Sequence, residues 1–512
     1  MDGLTALQEA DTGSARQKQS ADLRKRRENA MTVIDWIIVA SYLIRLIVIG
    51  VFAKGKVQTM DDFILGGKRF GRLALIGTIV ATMVGSGMTL GAVGTAYSSG
   101  STSTVPWMYF GFATGLIVMG LIAPRVREKG TRSLAEMIHL EYGKTARLCM
   151  AAVVTFYAVS MVAINIAGLR TVIVNCFGLP ESSIVLATVL AAAIAILYTS
   201  LGGMYAVVWT DAVQFLIMFL GVFLFAPFFG LAKAGGAAPL EATMREVGGS
   251  FTNPFAAGVT SSMIGMMLSY FLCSPGDPTM PQRALAAKDS KSAKFAFLVS
   301  GGIGYWMGIA LIIIGCAVRV LMPGIENSNS VLPQFIIHYF PPVLRGLVIA
   351  GITAAVMSSF DSFLILGTTH VMYDIGRVIN PEIKDRTIQK SLPRITIIMG
   401  AVGIIIALYI SSLFDYLYMV FSTTGPATCP AMFAALFFRK KTSSFGVVAS
   451  IIAGFLVPAV LYMTVGYNVF LGDPIFFGLF ASIAALVLGS VLVKDKRTPE
   501  EFEAEARAGA DK

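Results

Sequence analysis

Ala355, Ser358, Ser359 and Ser362 fall at i, i+3, i+4 and i+7 of one apolar run and so share one face of a helix. Such a stripe permits two chemistries. Small side chains let a neighbouring backbone come close, as at a membrane helix contact. The hydroxyls and the Ala355 carbonyl can instead serve a hard monovalent cation, which needs a shell of oxygens once stripped of water. More oxygens are on offer at residues 85–87, Gly-Ser-Gly, in the middle of another apolar run that continues with Gly91 and Gly94. A later run contains residues 274–278, Ser-Pro-Gly-Asp-Pro. Glycine weakens a helix interior by about 1 kcal/mol and proline by about 3 kcal/mol. Both helices are therefore expected to break and to release backbone carbonyls and amides. At membrane depth such groups are tolerated where they line a cavity or bind something. Two acids, Asp211 and Asp361, also lie in apolar surroundings, where carboxylates are costly and face a cavity or a partner. Either can bind a cation, carry a proton or pair with Arg170, and Asp211 can also snorkel to the interface.

The elements that must position these groups are membrane helices. Of the 512 residues, 55% are apolar and only 14% charged, against about 25% charged in soluble proteins. Residues 73–90, 148–169 and 475–493 carry no charge at all. Each run approaches the roughly 20 residues that cross a bilayer core. The runs are continuous rather than alternating over about 10 residues, which points to helices and not to a barrel. Thirteen spans are predicted, near 32–53, 73–98, 105–123, 148–175, 181–200, 204–232, 256–281, 295–322, 343–374, 394–413, 415–438, 444–466 and 474–493. The first is the least clean, because it carries Asp35 and Arg45. Residues 1–30 read as a disordered basic tail, with Met31 as an alternative start, and 31–72 as a first helix and loop. Residues 494–512 form a second tail.

Lysine and arginine crowd one set of loops, among them Lys54, Lys56, Lys68, Arg69, Arg125, Arg127, Lys129, Arg132, Arg283, Lys288, Arg377, Arg386, Arg439 and Lys494. The opposite loops hold Lys233 and Arg245. This bias predicts a cytoplasmic C-terminus and an outside N-terminus in a cell inner membrane, although the basic N-terminal tail pulls the other way. It also accounts for the net charge of +10 without any nucleic acid partner. The five cysteines are scattered, with neither a disulfide pattern nor metal spacing. No HExxH, CxxC or nucleotide loop is present, and His139, His338 and His370 lie far apart, so an enzyme is not expected.

The two interrupted runs are the second and seventh spans, five apart, so they run in opposite directions. Spans 2–6 (73–232) and 7–11 (256–438) can then be inverted repeats, with peripheral helices at 444–493. Interrupted helices at corresponding places of inverted halves point to a transport site at the bilayer midplane.

With these features the chain resembles the sodium/solute symporter family over about residues 31–440. The matching segments are 61–67 (Asp-Asp-Phe-Ile-Leu-Gly-Gly), the 85–87 break, 167–170 (Ala-Gly-Leu-Arg), and 201–211, which ends Trp-Thr-Asp. They continue with 276–278 (Gly-Asp-Pro) followed by Arg283 and Lys288-Asp289-Ser290, and 354–359 (Ala-Ala-Val-Met-Ser-Ser). The Arg283 to Asp289 spacing looks closest to the proline and pantothenate permease branch. The resemblance implies an all-α LeuT-type fold of five-plus-five inverted helices and sodium-coupled uptake of a small organic solute, with no cofactor beyond sodium. It implies a sodium site from the carbonyls of Ala81, Val84 and Ala355 and the hydroxyls of Ser358 and Ser359. It implies a second cation site at Asp211, Ser358 and Ser362. Asp361 stands where a serine or threonine is usual, so it joins that second set and leaves the coupled ions open. Ser86, Met88, Thr89, Trp107 and Tyr270 are expected to face the solute. Free amides after the first break would suit a carboxylate, so the expected solutes are an amino acid or carboxylate such as proline, pantothenate or a monocarboxylate. A proton-coupled symporter or a solute sensor is the alternative, and a monomer is the expected working unit.

Overall fold

The computed structural model describes residues 31–54, 59–199, 203–466, 473–495 and 501. The predicted tail 1–30, Lys56, Leu201 and Gly202 of one motif, and residues 496–500 and 502–512 of the second tail lie outside them. Among the described residues the chain is helical throughout, apart from the single-pair bridges Phe70–Ala287 and Gly100–Ser250.

Every expected span finds a helix. They are α1 (Val33–Lys54), α2 (Arg72–Met83) with α3 (Ala92–Ser99), α4 (Val105–Glu128), α5 (Leu134–Phe177) and α6 (Ile184–Thr199). Next come α7 (Gly203–Met218), which runs through a widened turn into α8 (Ala226–Lys233), and α9 (Ser261–Gly276) with α10 (Thr279–Ala286). The remainder are α11 (Ser290–Leu321), α12 (Leu344–Thr369), α13 (Asp385–Tyr409), α14 (Leu413–Phe437), α15 (Ser444–Thr464) and α16 (Pro474–Leu492). Eight helices among the described residues are long and apolar enough to cross a membrane, or nine when the bent α2–α3 pair counts as one.

Side chains at the starts fix several boundaries. Ser133, Thr260, Asp289, Ser412 and Ser443 each accept a bond from a backbone N–H of the turn they open, at α5, α9, α11, α14 and α15. Asp35, which made the first span look unclean, is likewise satisfied. It accepts from the amides of Thr32, Val343 and Gly346 and pairs with Arg345 at 2.9 Å. Gly346 permits that approach, since a Cβ there would lie 2.7 Å from the Asp35 Cα.

α12 is the centre of the molecule. Its spanning window is 94% buried, whereas that of α16 is 28% buried. Helices apolar on all sides belong inside, and α12 packs against α2, α5 and α7. Around this core, α4 packs on α9 and α11, α14 on α9, and α15 on α16. Several boundaries depart from expectation, such as α13, which begins at Asp385 rather than 394, and two of them bear on the polar groups. α5 begins well before residue 148, turning at Gly143 (φ 84°), because Arg147 is buried against Asp374 and so no longer marks a helix end. The expected span 256–281 divides into α9 and α10 at Asp277–Pro278.

Candidate functional site

The first break lies between α2 and α3. α2 ends at Met83, and Val84 (φ −94°, ψ 63°) leaves helical geometry. A widened helical turn at Gly87–Gly91 leads into α3, and the axis bends by 68°. A regular helix would bring the Ser86 amide to the Thr82 carbonyl. Here that amide donates instead to Asn165 Oδ1 on α5, at 3.1 Å. The Thr82 carbonyl thus loses its helical donor, and Ser359 Oγ of α12 donates to it at 2.7 Å. Ser358 Oγ donates to the Ala81 carbonyl at 2.7 Å and to the Ala355 carbonyl at 3.0 Å. Ser359 Oγ also lies 3.4 Å from the Ala81 carbonyl and 3.2 Å from that of Ala355. Five neutral oxygens converge, three from backbone and two from hydroxyls, and both serines are fully buried. Hydroxyls rotate, so each can turn its proton away and offer a lone pair. Gly85 makes the approach possible, because a Cβ there would sit 2.7 Å from Asn165 Oδ1 and 3.0 Å from Ser359 Oγ.

A second polar cluster lies one helical turn away along the same pair of helices. Asp211 of α7 is fully buried, not at the interface. Thr78 Oγ1 donates to its Oδ2 at 2.5 Å, and Thr82 Oγ1 to the same oxygen at 3.3 Å. Thr82 Oγ1 and Ser362 Oγ are 2.8 Å apart. Arg283 of α10 reaches into this cluster. Its Nη2 lies 3.7 Å from Asp211 Oδ2 and donates to Thr82 Oγ1 and, at 2.7 Å, to Ser362 Oγ. Asp361 is not part of the cluster: its Oδ1 accepts from Thr199 Oγ1 of α6. The direction follows from the helix, which turns residue 361 about 100° away from Ser362, the residue of α12 in the cluster. Ser358 belongs to the first cluster. The set Asp211, Ser358, Asp361 and Ser362 is therefore not assembled as one site. Arg170 pairs with neither acid and donates to the Ala407 and Ile410 carbonyls.

The expected solute residues also separate. Ser86 Oγ donates to the Ile164 carbonyl at 2.8 Å, and Thr89 Oγ1 to the Gly85 carbonyl at 2.9 Å. Two amides expected to be free after the break are engaged, Ser86 N by Asn165 and Thr89 N by the Gly85 carbonyl. Met88 is buried, and its carbonyl accepts from Tyr109 Oη at 2.7 Å. Tyr270 is buried with its ring 4.8 Å from Phe421, and its hydroxyl has no partner among the described residues. Phe421 also faces Tyr157 at 6.0 Å. Trp107 stands apart, edge-on to Phe255 at 5.3 Å.

On the face carrying the basic loops, a polar network ties neighbouring segments together. Arg147 pairs with Asp374 at 2.9 Å, Ser133 Oγ donates to Asp374, and Arg127 Nε donates to the Ala287 carbonyl at 2.8 Å.

Residues 63–454 match the profile of the sodium:solute symporter family. The chain belongs to that family. It is 26% identical to the sodium/proline symporter of Haemophilus influenzae over 444 residues, covering 81% of this chain and 85% of that protein. It is 24% identical to the sodium/glucose cotransporter of Vibrio parahaemolyticus over 476 residues, covering 83% and 85%. Among solved structures, the substrate-bound outward-open state of a Na+-coupled sialic acid symporter superposes with a TM-score of 0.77 at 21% identity, covering 90% of this chain and 98% of that one. The fold is the all-α LeuT type, and the protein is a multi-pass membrane transporter that couples sodium to solute uptake.

Thr82, Asn165 and Arg283, like Thr78 and Phe421, have parts in this symporter that escaped the sequence reading. Thr82 offers a carbonyl because the backbone leaves the helix two residues later, a register that only the fold reveals. Asn165 carries no local signal at all, being one asparagine in a long apolar run. Arg283 was visible as a motif residue, but its position after a break pointed to a loop rather than to the buried core.

Proposed function

We propose that one dehydrated sodium ion is held between the end of α2 and the serine face of α12, by the carbonyls of Ala81, Val84 and Ala355 and the hydroxyls of Ser358 and Ser359, with the Thr82 carbonyl beside them. The observation carrying this reading is that both serine hydroxyls turn onto carbonyls left without helical donors by the 68° bend. An all-oxygen, uncharged cage suits a hard monovalent cation better than a proton or a soft metal.

The solute is proposed to lie against Met88, Tyr270 and Phe421, beside the second break. The unpartnered Tyr270 hydroxyl and the surrounding aromatic carbon suit a small molecule with an apolar body and one hydrogen-bonding end. An amino acid such as proline, or a monocarboxylate, fits this description better than a polyol. The engaged Ser86 and Thr89 amides move carboxylate recognition away from the first break.

Residues 73–232 and 256–438 act as the inverted halves, and a single chain suffices for transport. The C-terminus is cytoplasmic, the N-terminus outside, and the membrane is the cell inner membrane. Sodium bridging α2 and α12 favours the state open to the outside. Solute binding allows closure, and opening of the Arg147–Asp374 side follows. A 100 mV potential supplies about 2.3 kcal/mol per charge, and a tenfold sodium gradient about 1.4 kcal/mol. One sodium can then concentrate a neutral or zwitterionic solute about 500-fold.

The test is a thermal-shift screen of proline, pantothenate and small monocarboxylates, each in sodium and in potassium. A ligand at a hundred times its Kd stabilises by about 2.7 kcal/mol. The expected result is one solute class that stabilises in sodium only, with the effect lost in Ser358→Ala/Ser359→Ala. Equal stabilisation in potassium would remove sodium from this site.

A further inference from the structure

On the face carrying the basic loops, a surface cavity of about 690 Å³ opens between Arg72 of α2, Trp209 of α7, and Lys288, Asp289 and Lys291 at the start of α11. Its frame is pinned by backbone. Phe70 N donates to the Ala286 carbonyl at 3.4 Å and Lys288 N to the Phe70 carbonyl at 3.0 Å, which joins the segment before α2 to the one after α10. The Phe70 ring also lies 6.3 Å from that of Tyr205, one turn before Trp209 on α7.

Charge in this cavity is unbalanced. Elsewhere on the same face basic side chains have acids of their own: Arg132 has Asp61, Arg147 has Asp374, and Arg439 has Asp495. Here three cations surround one acid. That acid, Asp289, is engaged by the start of α11, accepting from Ser292 N at 2.7 Å and Ser292 Oγ at 3.0 Å, with Lys288 4.0 Å away. Neither Arg72 nor Lys291 has an acidic partner among the described residues, and Arg72 lies over the Phe295 ring at 4.9 Å. Apolar surface begins at the cavity's edge. Leu73 is 84% exposed, and Trp209, Val213 and Leu216 are exposed at i, i+4 and i+7 along one face of α7. On a membrane-spanning chain such a stripe meets acyl chains, and a tryptophan at its end suits the interface.

We propose that this cavity binds the headgroup of an anionic phospholipid of the adjoining leaflet. Its phosphate oxygens lie among Arg72, Lys288 and Lys291, and an acyl chain runs along Trp209, Val213 and Leu216. Each basic residue near a membrane surface favours anionic lipid about fivefold, so three favour it roughly a hundredfold over a zwitterionic lipid. A soluble phosphate would meet the cations but leave the apolar stripe uncovered. Because Arg72 belongs to α2 and both lysines stand at the start of α11, one headgroup ties these two helices together.

The test is native mass spectrometry of the full chain released from nanodiscs of mixed phosphatidylglycerol and phosphatidylcholine. Wild type should retain phosphatidylglycerol over phosphatidylcholine by roughly a hundredfold. Arg72→Gln/Lys288→Gln/Lys291→Gln should lose that preference. Lys384→Gln/Arg386→Gln/Lys390→Gln removes the same charge from exposed residues at the start of α13 and should keep it. Lys288→Gln/Lys291→Gln leaves the Arg72–Phe295 contact in place and should cost about thirtyfold, so it decides the matter should the triple variant not fold. No preference in wild type, full preference in the double variant, or equal loss in both triple variants would each overturn the proposal. So would displacement of the lipid by inorganic phosphate or glycerol 1-phosphate, which would make the cavity a site for soluble anions.

Discussion

The two interrupted helices, α2–α3 and α9–α10, solve the problem of broken backbone in opposite ways. At the first break, α2 to α3, the chain leaves carbonyls and an amide without helical partners and neighbouring side chains cover them: serine hydroxyls from α12 donate to the carbonyls, and the Asn165 side-chain oxygen from α5 accepts from the Ser86 amide. No charged residue takes part, so the place is neutral and rich in acceptors. At the second, α9 to α10, the chain supplies its own ion. Asp277 caps the new turn by accepting from Thr279 N and Oγ1, both at 2.7 Å, and Tyr157 Oη donates to it at 2.6 Å. Six residues later Arg283 carries a positive charge into the core. Where the backbone supplies neutral oxygens, a mobile cation is wanted. Where it supplies a fixed cation, an acid must answer it, and Asp211 does.

The sharpest break of this contrast is at the neutral site. A hydrogen bond or ligand to a charged group contributes about 1.5–3 kcal/mol, so each hydroxyl lost from Ser358 or Ser359 should weaken sodium binding by about tenfold to a hundredfold. Ser358→Ala/Ser359→Ala should abolish sodium-dependent uptake in proteoliposomes; uptake with normal sodium dependence would dissolve the distinction between the breaks. Next in size is the charged site. Removing one partner of a buried pair costs about 3–5 kcal/mol, so Arg283→Ala should lower the melting temperature substantially. Arg283→Gln/Asp211→Asn should recover most of the loss, a recovery not expected for any serine variant.

Tyr157→Phe should cost about 1–3 kcal/mol, because Asp277 then keeps its burial but loses a donor. Thermal unfolding measures this, and sodium affinity should stay within a few-fold, since Tyr157 serves the second break only. Gly85→Ala should cost about 1–3 kcal/mol by overpacking against Asn165 and Ser359, and here the sodium affinity should fall together with stability. The smallest effect is expected from Asp361→Asn. Its carboxylate meets Thr199 rather than either cluster, so the charge moved per solute should not change. A change would return Asp361 to the ion path.

Much of this was legible in the residues themselves. Charge-free runs of bilayer length point to membrane-spanning helices, because unpaired backbone cannot face lipid. Gly85-Ser86-Gly87 and Pro275 through Pro278 mark the breaks, since those residues destabilise a helix wherever it packs. The periodicity of Ala355, Ser358, Ser359 and Ser362 defines a face before any partner is known. The partners themselves were decided by the tertiary structure. Whether Thr82 or Val84 turns a carbonyl to Ser359 depends on the dihedral angles at one residue. Whether Asp211 meets sodium or arginine depends on where α10 comes to rest, and whether Asp361 joins Ser362 depends on which helices lie on either side of α12. Periodicity assigns a residue to a face of its own helix. Only packing assigns that face a neighbour, and in a buried polar site the neighbour determines the chemistry.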